Sequence, residues 1–167
     1  MTTSQAKSPR TRPAGYGPAQ IALHWLIALG IVVNYFAGSG MGRALFQRLQ
    51  GAEVTVPNAM LHVWLGVAVF VLAVIRIILR LRRGAPPAPH GITGKLAHAV
   101  HGLLYLLILL MPLAGMVAWF GGQEAAAGPH MLMANLILLL AAGHALAALF
   151  HQFVLKDGTL LRMLRPG

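Results

Sequence analysis

The stretch HMLMANLILLLAAGH, residues 130–144, decides the fold of this chain. Thirteen residues separate its two histidines; none is charged, and only Asn135 has a polar side chain. The apolar run continues to Leu155, enough for a membrane helix, which needs about 20 mostly apolar residues. At 3.6 residues per turn, the step from His130 to His144 is just under four turns, so both rings point the same way within about 40°. At 1.5 Å per residue they stand roughly 21 Å apart along the axis. One helix thus offers ring nitrogens on a single face at two depths of a bilayer, and each ring needs a partner at its own depth.

The rest of the chain has the same character. Of 167 residues, 57% are hydrophobic and 10% charged, and mean hydropathy is +0.71. Soluble domains carry about 25% charged residues. Besides residues 130–155, three stretches are long and apolar enough to span a bilayer: roughly 19–38, 58–81 and 95–120. The expected fold is all-α, a transmembrane four-helix bundle occupying residues 17–167. Residues 1–16 are polar and basic, without the apolar core or cleavage site of a signal peptide, and are expected to form a disordered cytoplasmic tail. Pro57 and Pro129 stand just before the second and fourth spans, RRGAPPAPHG and GGQEAAAG separate spans, and Pro112 predicts a kink in the third.

Charge sets the orientation. Eleven of the thirteen Lys and Arg lie in the tail, between the second and third spans, or at the C-terminus, and only Arg43 and Arg48 lie on the other side. The cation-rich side is cytoplasmic by the positive-inside rule, so both termini are expected there. Net charge is +10, yet the apolar spans leave no basic face for nucleic acid. The chain has no cysteine, which excludes disulfides, thiolate metal sites and covalent c-type haem.

Ionisable groups inside a bilayer are costly and usually mark function or a buried partner. His24 falls near the inner end of the first span and His62 near the outer end of the second. His98 and His101 fall near the inner end of the third span, His144 and His151 in the inner half of the fourth, and His90 in a cytoplasmic loop. His62 is the only other span histidine near the outer surface, so it pairs with His130. His24, His98, His101 and His151 compete for His144, and depth alone leaves that choice open. Two histidines from different helices, with no Asp or Glu in the spans, suit axial ligation of haem iron. Zinc takes four ligands with thiolate or carboxylate help, and a proton relay adds carboxylates. Arg76 and Arg80 follow His62 by 14 and 18 residues, at the inner end of its face, where haem propionates need arginine partners. Gly66, one turn from His62, allows a flat macrocycle to come close.

The chain resembles the bacterial cytochrome b561 family, short four-helix dihaem proteins of inner membranes. The likeness rests on QIALHW (20–25), LHVWLG (61–66), VIRIILRLRR (74–83), TGKLAHAVHGLLYLLILLMPLAG (93–115), MANLILLLAAGHALAALFHQF (133–153) and KDGTLLRM (156–163). It implies two haem b groups: an inner one held by His24 and His144, and an outer one held by His62 and His130. It also implies a multi-pass inner-membrane protein exchanging electrons between the quinone pool and an outer-surface partner, which is superoxide or a soluble redox protein. Superoxide oxidation coupled to ubiquinone reduction is the favoured reaction. The alternative is a haem-bearing anchor or electron-transfer subunit for a separate dehydrogenase. For a quinone, Lys95, His98, His101 and His151 are the expected donors, since all lie at inner depth. The outer connection GGQEAAAGP is shorter than in superoxide-oxidising relatives, and Arg43 and Arg48 are balanced by Glu53 and Glu124, so strong steering of an anion is not evident.

Overall fold

The fold is described from a computed structural model over residues 15–87 and 91–167. Residues 1–14 of the expected tail, and His90, lie outside the described residues. Five α-helices run in order: α1 (Pro18–Ala37), α2 (Met41–Leu49), α3 (Ala59–Arg83), α4 (Ile92–Trp119) and α5 (Ala127–Phe150). A π-helical turn, His151–Leu155, extends α5, and there is no strand among the described residues. α1, α3, α4 and α5 with its extension are long and apolar enough to cross a membrane, and they match the four expected spans within a few residues.

Local chemistry sets the ends. Extended Gly17 precedes Pro18, which needs no N–H at the first helical position. Gln20 Oε1 accepts the Gly17 N–H at 3.1 Å, and its Nε2 donates to the Gly84 carbonyl at 3.1 Å, tying the start of α1 to the end of α3. Pro57 immediately precedes the α3 cap, Asn58. Pro129 lies inside the first turn of α5, because a short 3-10 turn, Glu124–Ala126, starts the helix earlier than the proline suggests.

α2 lies between the first and second expected spans, in a stretch too short to cross a bilayer. Its apolar residues, Met41, Ala44 and Leu45, follow the three- and four-residue steps of a helix face, so the signal was present. Gly40 turns the chain from α1 into α2 at φ 82°, a left-handed conformation that suits glycine. Ala44 and Leu45 pack with Val56, Val63, Ala118 and Trp119, so α2 caps one end of the bundle. Arg48 fastens it: Nε donates to the Trp119 carbonyl at 2.9 Å, and the guanidinium lies 5.0 Å from the Trp119 ring centre.

α1 packs on α3, α3 on α4, and α4 on α5, whereas α1 and α5 share no close-packed seam. Ile27, Val69 and Ala73 fill the α1–α3 contact, and Leu107, Met111 and Ile137 the α4–α5 contact. Outward faces are apolar as well: Leu139 is 70% exposed while Ile137, two residues away, is fully buried. Water would penalise that surface, whereas lipid tails solvate it. Across the α1–α5 seam, Tyr35 donates its hydroxyl to Asn135 Oδ1 at 3.2 Å. Asn135, the lone polar side chain between His130 and His144, thus bridges two helices that are not closely packed.

Candidate functional site

Both histidines of the opening stretch meet a ring from another helix. His130 on α5 and His62 on α3 have ring centres 5.9 Å apart at 84°. His62 Nδ1 donates to the Asn34 carbonyl on α1 at 2.9 Å, and His130 Nδ1 to the Met111 carbonyl on α4 at 2.8 Å. A carbonyl only accepts, so each Nδ1 carries the proton and each Nε2 keeps its lone pair for a metal. Two glycines make room. A Cβ on Gly38 would come 3.1 Å from the His62 ring, and one on Gly115 would come 2.8 Å from His130 Nδ1. Gly66 was expected to admit a macrocycle; here its bare face accommodates Asn34 Nδ2, which would lie 3.3 Å from an added Cβ. Asn34 is buried, and its Oδ1 has no hydrogen-bond partner among the described residues.

A prediction follows from the Gly115 contact. Gly115→Ala forces the His130 ring from its place, because the ring is anchored through Nδ1 and cannot simply swing away. The expected product keeps its helices but loses about half of its haem, read as haem per chain on the purified protein. A fully loaded Gly115→Ala protein with an unaltered redox titration would contradict this.

At the arginine-rich end three rings converge. His144 on α5 lies 6.4 Å from His24 on α1 and 4.9 Å from His101 on α4, ring centre to ring centre. His101 Nδ1 donates to the Ala97 carbonyl of its own helix at 2.6 Å, and His98 Nδ1 to Gly94 at 2.8 Å. Arg76 Nη1 donates to the Gln20 carbonyl, one turn before His24, and the Arg80 guanidinium lies 5.5 Å from the Tyr105 ring centre. Tyr16, Gln20, Arg76, Arg80 and Tyr105 line a crevice there. Neither arginine has a carboxylate partner among the described residues, where the only ion pair is His151–Asp157.

The four expected quinone donors do not gather into one cluster. His101 joins the His144 group, Lys95 and His98 are exposed on α4, and His151 bonds Asp157. No hydrogen bond or ring contact among the described residues links His151 to the other three. Asp157, Asn34, Gly38 and Gly115 are the residues the sequence reading missed. Asp157 is six positions from His151, a step no regular helix face brings together, so periodicity gave no hint. Among the described residues no three or more His, Cys, Asp or Glu converge as a metal cage, so the donor set offers pairs.

Paired imidazoles between apolar helices, with arginines at one end that have no carboxylate partner among the described residues, suit a membrane haem protein of the cytochrome b type. The chain belongs to the prokaryotic cytochrome b561 family, whose model matches residues 15–166. It is 50% identical to cytochrome b562 of Cereibacter sphaeroides over 93% of this chain and 99% of that protein. It is 31% identical to a protein of Yersinia pestis named probable superoxide oxidase CybB, over 89% of this chain and 95% of that one. Cytochrome b561 homolog 1 of Escherichia coli is likewise 31% identical, over 89% and 96%. As a family member the chain is a multi-pass bacterial membrane cytochrome that binds haem b and transfers electrons.

Proposed function

We propose that the chain holds two haem b groups, one between His62 and His130 and one between His24 and His144, and carries electrons from the outer surface to the quinone pool. Ring spacing is the observation that carries this reading. Two imidazoles bound to one ion through Nε2, each at about 2 Å, have ring centres roughly 6 Å apart. The 5.9 Å and 6.4 Å pairs suit that span, whereas 4.9 Å between His101 and His144 is short for it. Haem iron with both axial positions filled by histidine supplies one-electron transfer. The protein's residues do the rest. The Asn34 and Met111 carbonyls hold the Nδ1 protons and aim Nε2 inward. Arg76 and Arg80 offer their charge to the propionates, with no carboxylate in the spans to compete. The arginine-rich end faces the cytoplasm of an inner membrane.

The donor we favour is superoxide and the acceptor ubiquinone. Two superoxide ions each lose an electron and leave as dioxygen; one ubiquinone takes both electrons and two protons to become ubiquinol. The name of the Yersinia pestis relative supports this choice. Arg43, exposed on α2, is the cation at that end left to attract an anion, since Arg48 is spent on Trp119. His151 is the donor we assign to a quinone carbonyl at the cytoplasmic end. The test uses purified, haem-loaded protein with enzymatically generated superoxide and ubiquinone-1. The expected result is one ubiquinol per two superoxide ions, abolished by superoxide dismutase. No quinol, together with obligatory co-purification of a soluble dehydrogenase, establishes the anchor-subunit alternative instead. His151→Ala is expected to keep both haems and slow quinone reduction roughly 100-fold, the scale of a lost proton donor. Unchanged kinetics in the loaded variant would defeat the His151 assignment, and haem loss would make His151 an axial ligand.

A further inference from the structure

The chain has only three acidic residues, Glu53, Glu124 and Asp157. Asp157 is therefore the only side-chain carboxylate at the end crowded with arginine and lysine. Among the described residues it pairs with no lysine or arginine. Its Oδ2 accepts from His151 Nδ1, and its Oδ1 accepts the Thr159 N–H at 2.9 Å. The end of α5 brings the two side chains together. α5 widens into the π-helical turn His151–Leu155, so the Lys156 N–H reaches the His151 carbonyl. Lys156 then takes a left-handed conformation, φ 54°, uncommon for a non-glycine residue. The Asp157 N–H also donates to the His151 carbonyl, at 3.2 Å, and the carboxylate folds back onto the ring.

The turn is tethered at both ends. Beyond Asp157 and Thr159, the Met163 carbonyl accepts the Trp25 indole N–H at 2.8 Å, next to His24. Within the turn, Gln152 Oε1 is shielded and has no hydrogen-bond partner among the described residues. The His151 side chain is 23% exposed and that of Asp157 35%, so the ring is mostly covered and the carboxylate is open to bulk water. The His151 ring and the Thr159 hydroxyl and N–H hold the Asp157 carboxyl at about 2, below the usual carboxylate range. It therefore remains an anion until the pH falls toward that value.

We propose that Asp157 is a positioning residue for quinone chemistry: by binding Nδ1–H it fixes the His151 ring and leaves Nε2 as the atom that exchanges a proton with the bound quinone. This rests on the assignment of His151 to the quinone. In each proton transfer the Nε2–H bond breaks as a quinone O–H bond forms, Nδ1 keeps its proton against Asp157, and Nε2 is reprotonated by a proton from bulk water before the next transfer. The two electrons per quinone would be those given up by two superoxide ions, each leaving as dioxygen. Gln152 Oε1, an acceptor in the same turn, suits the hydroxyl so formed.

The test compares purified, haem-loaded Asp157→Asn, Asp157→Glu and His151→Ala with the unaltered protein. Reoxidation of the reduced haem by ubiquinone-1 is followed across pH, and ¹⁵N-histidine NMR reads the protonation of each His151 ring nitrogen. Asp157→Asn is expected to keep its haem, to reduce quinone about tenfold more slowly in kcat with little change in KM, and to alter the pH profile. Its NMR spectrum is expected to show Nδ1 no longer fixed as the protonated nitrogen. Asp157→Glu is expected to restore most of the rate. If Asp157→Asn matches the unaltered protein while His151→Ala is slow, the quinone assignment stands and the role of Asp157 is overturned. If neither variant is slow, both fail together. Haem loss in Asp157→Asn would make the contact structural and overturn the proposal.

Discussion

His62→Ala and His130→Ala are each expected to yield protein with one haem per chain instead of two, and the haem lost is the same in both. The rings lie 5.9 Å apart on facing helices, and each is held by a carbonyl from a third or fourth helix. Alanine at either position removes one of only two ligands while the surviving ring remains anchored through Nδ1. Among the described residues no other histidine ring contacts this pair, since the remaining histidine ring contacts lie toward the opposite end. Pyridine haemochrome analysis gives the stoichiometry, and a redox titration tells which haem remains. Two haems in either variant, or the loss of haems of different potential in the two, would refute the pairing.

The second large effect lies at the arginine-rich end. His24→Ala and His144→Ala are each expected to lose the other haem, while His101→Ala keeps both. Sequence left four candidates for the partner of His144, and family likeness favoured His24. The structure adds a physical reason: 6.4 Å leaves room for an ion between two rings, whereas 4.9 Å is a direct edge-to-face contact. His101 is also bonded back to its own helix at Ala97. Its expected role is to pack against the His144 ring, so His101→Ala should shift the potential of the retained haem without emptying the site. A haem count of one in His101→Ala beside two in His24→Ala would reverse the assignment.

Helices of a membrane protein are legible because each must satisfy its own backbone and be apolar over a bilayer's thickness, both local properties of the chain. The four spans, the single-face placement of His130 and His144, and the pairing of His62 with His130 by depth all follow from counting along one dimension. α2 was equally local, and its apolar steps at Met41, Ala44 and Leu45 went unread beside longer runs.

What counting along the chain cannot supply is lateral position. How far His24 and His101 lie from His144 depends on how α1 and α4 are rotated about α5, and packing at Ile27, Val69, Leu107 and Ile137 holds those helices in place. Gly38 and Gly115 have a function only because histidine rings from other helices come to rest against them. Asp157 reaches His151 only because a π-turn and one left-handed residue reverse the chain between them. Which residues lie at which depth follows from the order of residues along each helix, because rise per residue is a property of the helix. Which of them touch follows from how the helices pack, because side-chain contact depends on the angle and distance between helices, and no single helix encodes either.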